Sequence, residues 1–345
     1  MSRSASSAMA TKAIAMYGHH LKEADYVELL RKNTVQEIAA YLKAETAFRS
    51  SLKGITESTI HRSFLETLVR QEFYIDFIKL IRYGDPAKKE FYRFGIVSIE
   101  IKQILIAIRN LTEQDRSVQL SQLPLFAKKL MDFELEKLIK VFNFEELLKV
   151  LKNTDYFKIL LPLKPVGDAE VDYVACELSL KNYYFDLMNT LIDKKFSGKD
   201  LNLVKDVFNS RIELEHLTYI YRLKKYFRFT PKQIKDYINP VNVHIPRKRI
   251  MQWIESGDAE DILELLKNSY YHIEFDLKDL SHIENLVDRV QFKQNKKMLR
   301  HTGNAEIVLI AYMNLLEVQI QNIIDIVEGA RYHVNRERIS KLLIY

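Results

Sequence analysis

Nine histidines, one cysteine and several neighbouring carboxylates are the side chains of this 345-residue sequence that could hold a metal or move a proton. His19 and His20 are adjacent, so on a helix they point about 100° apart and do not chelate one ion as an i, i+4 pair would. His61, His216, His244, His272, His282, His301 and His333 are scattered with no acidic motif between them. The carboxylate groups Glu145-Glu146, Glu213 with Glu215, and Asp258 with Glu260 and Asp261 read as solvated helix faces, and Glu145 has Lys149 four residues on. Cys176, the single cysteine, excludes an intramolecular disulfide and a cysteine-based zinc site. Gly18, Gly54, Gly84, Gly95 and Gly198 stand alone, whereas a phosphate cradle needs glycines close together. The expectation is a chain with no catalytic group, no metal, no cofactor and no direct nucleotide binding.

Basic residues are the remaining candidates. Arg222, Lys224, Lys225 and Arg228 alternate with Tyr221, Tyr226, Phe227 and Phe229, and these four cations are the candidate partner-binding residues. Arg247-Lys248-Arg249 follows, and Lys293, Lys296, Lys297 and Arg300 form a third group. Cations interleaved with aromatics suit a nucleic-acid backbone, a protein partner, or a solvated helix face with snorkelling stems. The formal charge is only +6 and the acidic residues are spread throughout, which argues against nucleic acid.

The elements that position these residues are helices. Glycine and proline number 9 and 7, where average usage gives roughly 24 and 17. Hairpins need such residues, so the fold class is all-α. Phe64, Leu65, Leu68, Val69, Phe73, Ile75, Phe77, Ile78 and Ile81 form one long stripe at spacings near 3.6. The apolar run from Ile307 to Ile324 contains Asn314, Glu317, Gln319, Gln321 and Asn322, and reads as a buried helix rather than a membrane span. Thr230-Pro231 is a helix start, and Asn239-Pro240 to Pro246 a break.

Two phrases recur three times in the same order. The first, at 36–48, 145–157 and 260–272, carries a Leu-Lys step at 42, 151 and 266, and the second covers 100–109, 213–222 and 319–328. Each second phrase carries a polar residue, Gln103, His216 or Asn322, inside an apolar run; His216 is thereby expected to be a helix-packing residue. The period is too long for a thin solenoid and points to three similar domains. We place a flexible tail at 1–9 and helical repeat domains at 10–112, 113–228 and 229–345. A breaker-rich stretch at 110–124 would stitch the first two units, and one at 161–168 interrupts the second unit between its phrases.

The order and repetition of these phrases resemble the C subunit family of the V/A-type rotary ATPases (ATP synthases), whose vacuolar counterpart is the d subunit. Lys12 to Met16 with Leu21 and Asp25-Tyr26 is similar to the family's opening helix, and Leu151 to Tyr156 keeps its internal phrase. Glu317 to Asn322, then Glu328, Arg331 and Ile339 to Ile344 match its closing helix. The first copy departs, with Ala47-Phe48 where the family has tyrosine. The resemblance implies three helical domains in a pseudo-threefold funnel, a non-catalytic socket of a prokaryotic complex. It implies the central axle subunits and the membrane proteolipid ring as partners, at the cytoplasmic face. The alternative is a helical scaffold or nucleic-acid-binding protein using the basic-aromatic clusters.

Overall fold

The computed structural model describes residues 2–112, 128–167, 169–241, 243–271 and 283–345, and these contain helices and no strand. The first five helices are α1 (Ser2–Tyr17), α2 (Glu23–Arg31), α3 (Val35–Glu45), α4 (Arg62–Ile81) and α5 (Arg93–Thr112). Three short ones follow, α6 (Leu135–Leu138), α7 (Phe144–Leu151) and α8 (Asp155–Leu160), before the long α9 (Tyr173–Lys195) and α10 (Gly198–Lys225). The chain continues through α11 (Pro231–Tyr237), α12 (Arg247–Ser256) and α13 (Ile262–Lys267) to α14 (Ile283–His301), α15 (Ala305–Arg331) and α16 (Arg336–Leu342). All three second phrases fall inside long helices, α5, α10 and α15.

Two expected boundaries fall at or near described helices. The sequence places a loose tail at 1–9, but residues 2–9 are the opening turns of α1, and Met9 is fully buried. The expected break at 110–124 stays helical to Thr112, and residues 113–127 lie outside the described set, as does Asp168.

The chain divides into two compact units. The first comprises residues 1–96, 116–131 and 292–345. Its centre is α15, packed against α1, α3, α4 and α16. The run from Ile307 to Ile324 is buried there as expected. Among the described residues α15 is the one helix long and apolar enough to cross a membrane, yet 78% of its most apolar window is buried inside the protein. Its polar residues are used. The Asn322 amide binds both Ile344 O (2.7 Å) and Ile344 N (3.0 Å), which pins the C-terminus. Gln319 accepts from Leu21 N at 2.6 Å. Gly329 is needed because a Cβ there would collide with Ile339 on α16.

The stripe on α4 is present, but the helix also buries two acids. Tyr312 donates to Asp76 at 2.5 Å, Ser51 donates to Glu72, and Lys79 sits 3.0 Å from Asp76 and 3.7 Å from Glu72. Burial first, then the charge of Asp76, pushes the Glu72 carboxyl upward against the bond from Ser51.

The second unit comprises residues 97–115 and 132–291. Here α9 packs on α8, α10 and α11, and α11–α13 pack in sequence. Leu217, Ile220, Leu223, Ile234, Ile250, Trp253, Ile262 and Leu266 form its core. The cap at Thr230 is as expected: Gln233 N donates to its hydroxyl (3.4 Å), and Thr230 N donates back to Gln233 Oε1 (2.9 Å).

Glu213 corrects another expectation. Its spacing from Glu215 predicts a solvated face, but it is fully buried. Its carboxylate accepts backbone N–H bonds from Val243, His244 and Ile245 at 3.1–3.2 Å and the Tyr271 hydroxyl at 2.8 Å. Four donors offset the cost of taking the charge out of water. Glu100 is buried in the same manner, accepting from Tyr156 (2.7 Å) and Asp132 N (2.5 Å).

Candidate partner-binding surface

The cations Arg222, Lys224, Lys225 and Arg228 lie at the C-terminal end of α10, where positive charge opposes the helix dipole favourably. Past the helix the chain folds back on its last turn, with Phe227 N donating to Arg222 O (3.3 Å) and Phe229 N to Leu223 O (2.9 Å). Arg228, three residues past the helix, is in the left-handed region at φ 53. Glycine adopts this conformation freely, whereas a residue with a Cβ pays about 1–2 kcal/mol.

The structure brings the four cations to one turn and then separates their roles. Arg222 lies 3.8 Å from Glu284, with its guanidinium over the Tyr219 ring at 5.7 Å. Lys224 donates to Ile254 O and Gly257 O, both at 2.9 Å, and so closes the end of α12. Its partial burial lowers the ammonium pKa. Lys225 pairs with Glu260, which holds that carboxyl below its usual range. Arg228 is exposed and has no hydrogen bond or ion pair among the described residues. Beside it Tyr226 is 59% and Phe227 45% exposed, each in edge contact with a neighbour (Tyr221 and Phe229). The free surface is thus one arginine and two aromatic rings.

Catalytic alternatives have poor geometry. The nearest to a nucleophile is Ser210, whose Oγ lies 2.7 Å from His244 Nε2. Asp206 Oδ1 approaches that same nitrogen at 3.7 Å, whereas a triad's carboxylate must orient the other one. Ser210 is also buried and donates to Asp206 O at 2.6 Å. Burial, with a smaller push from Asp172, raises the Cys176 thiol to about 12, so it carries no thiolate near neutrality. Among the described residues no three of His, Cys, Asp and Glu gather as a metal would require. His216 is buried against Phe185 as a packing residue, and neither ring nitrogen has a hydrogen-bond partner.

The family model described as ATP synthase (C/AC39) subunit matches residues 9–342. The chain belongs to that family. Two curated relatives are each named as the C subunit of an A-type ATP synthase. The protein from Methanosphaera stadtmanae is 24% identical over 206 residues, covering 57% of this chain and 52% of the relative. The one from Methanocaldococcus jannaschii is 22% identical over 219 residues, covering 61% of this chain and 54% of the relative. The aligned part of the chain therefore spans about half the length of each. The family match covers both compact units and includes the tip of α10.

Proposed function

We propose that this ATP synthase family member is the non-catalytic central-stalk subunit of a prokaryotic V/A-type rotary ATPase. It acts as a socket coupling the rotating axle to the membrane proteolipid ring, for ATP-driven ion transport or ATP synthesis. The observation that carries this reading is the family match over residues 9–342. In this reading the phrases mark three similar helical domains, near 10–112, 113–228 and 229–345, arranged as a pseudo-threefold funnel. The protein sits peripherally on the cytoplasmic face, and nucleotide chemistry occurs elsewhere in the complex. Dense helix packing supports the role, because close-packed interiors transmit strain with little compression.

At the tip of α10, Arg228 with Tyr226 and Phe227 makes the partner contact, while Arg222, Lys224 and Lys225 hold its shape. Purified protein should recover axle subunits, and ring-containing membranes, without nucleotide. Recovery of neither removes the reading. The nucleic-acid alternative needs outward cations, and three of the four here turn to protein partners. Filter binding that weakened steeply with salt would favour it instead.

A further inference from the structure

The basic group on α14 has a different character from the group on α10. Lys293, Lys297 and Arg300 are all exposed. Their spacing of four and then three residues puts them on one face. Lys296 lies beside this row, its ammonium over the Phe292 ring at 4.9 Å. None of the four makes an ion pair among the described residues, and all belong to the first compact unit. The helix dipole explains cations in the last turn, Arg300 and His301. It does not reach Lys297 and Lys293, one and two turns earlier. Four cations of the second unit, by contrast, are matched: Lys205 by Asp193, Arg211 by Glu215, Lys225 by Glu260 and Lys235 by Glu255.

We propose that the row Lys293–Lys297–Arg300 is a docking face for an acidic helix of a partner polypeptide, with carboxylates at matching i, i+4 and i+7 positions. Charge complementarity selects the occupant. Three cations spread over about 10 Å of helix face the same rise on a partner helix. An anionic membrane is the poorer fit, because surface-binding helices pair their cations with apolar side chains that insert. The large apolar residues of this stretch are not exposed: Leu299 is 1% exposed, and Phe292 and Met298 are half-buried. Nucleic acid is likewise disfavoured, since the aromatic ring at hand is already covered by Lys296. The proposal goes beyond the socket reading and does not depend on it.

The test uses the full chain and two synthetic helical peptides of identical composition. One has glutamates at i, i+4 and i+7, and the other distributes them around the helix. Fluorescence anisotropy at low salt should show the in-register peptide binding at least about fivefold more tightly, with the difference shrinking as salt rises. The triple reversal Lys293→Glu, Lys297→Glu, Arg300→Glu should reduce binding at least about tenfold, and the milder triple change to Gln should reduce it less. Lys205→Glu, at a position paired with Asp193 and remote in sequence from both basic groups, should leave it unchanged. A photo-crosslinker on the peptide should map to α14. Equal binding of the two peptides, no response to either triple variant, or crosslinks elsewhere would overturn the proposal. So would binding to phosphatidylglycerol vesicles or to RNA that is lost in the triple variants while the peptide fails to bind. Recovery of axle subunits by the triple variant would leave the socket reading untouched whichever way the peptide result falls.

Discussion

Helices α10 and α15 carry copies of one sequence phrase, and they solve the same packing problem with different chemistry. At the first polar position α10 has Glu213 and α15 has Gln319. Glu213 takes three backbone N–H groups and a tyrosine hydroxyl, whereas Gln319 takes Leu21 N. Three residues later α10 has His216, with both ring nitrogens unpartnered, and α15 has Asn322, bound twice to Ile344. Both helices are followed by a residue at φ 53, Arg228 and His333, with an exposed tyrosine two residues before the first (Tyr226) and one before the second (Tyr332). The apolar frame is repeated, and the polar residues are adapted to whatever backbone lies opposite.

The charged and neutral versions travel as sets. The first phrase places Tyr156 and Tyr271 against the buried carboxylates Glu100 and Glu213. Its first copy has Ala47 at the tyrosine position, and the third copy of the second phrase has Gln319 at the carboxylate position. Where the hydroxyl is lost, the carboxylate is lost too, which is what the cost of an underpaired buried charge demands. The largest predicted effect breaks this contrast at its charged end. Glu213→Ala strands four donors and should cost about 3–5 kcal/mol in urea unfolding, whereas Gln319→Ala should cost about 1 kcal/mol. Equal costs would mean that the two positions are not chemically distinct.

Acid should separate the helices next. Burial, opposed only in part by Glu215, lowers His216 from its ordinary value to about 4. The unfolded chain takes up the proton near pH 6.5 and the folded one near 4, so stability falls as pH drops through that window and levels below it. The loss amounts to up to about 3 kcal/mol. His20 in the first unit, buried and lowered to about 4, contributes a second loss over the same range. His216→Gln, which imitates Gln103, should remove its share of the pH dependence and leave that of His20. An unchanged profile of unfolding free energy against pH would count against a buried neutral His216.

At Asn322 the two lost backbone bonds of Asn322→Ala should cost about 2 kcal/mol. Amide exchange at Ile344 should accelerate with it, since that N–H loses its acceptor. A stability loss without faster exchange at Ile344 would place the effect in packing rather than in the pin.

Much of the frame was legible in sequence because it depends on local signals. Scarce glycine and proline foretold an all-helical chain, the Thr230-Pro231 start is capped as read, and Ile307 to Ile324 is buried. Glu213 was not legible. A carboxylate two positions from another on a helix looks solvated, and its partners come from 30 to 58 residues away. The α10 site was half legible for the same reason. Lys224 is held by two backbone carbonyls, which no side-chain pattern announces, and the left-handed geometry of Arg228 replaces the glycine that would have marked the turn.

The smallest predicted effect concerns that replacement. Arg228→Gly relieves a conformation costing about 1–2 kcal/mol and adds unfolded-chain entropy worth about 0.5–1 kcal/mol, for a net stabilisation near 0.5–1 kcal/mol. His333→Gly should behave similarly if the ends of α10 and α15 are equivalent. Recovery of axle subunits divides them further. Loss of the exposed guanidinium beside Tyr226 and Phe227 should weaken it for Arg228→Gly, even as the protein becomes more stable. A variant that gains stability and binds as before would show that the strain at Arg228 serves the turn alone. One that gains stability and binds less well ties that strain to the partner surface, because an arginine held in a glycine's conformation is otherwise a cost without a return.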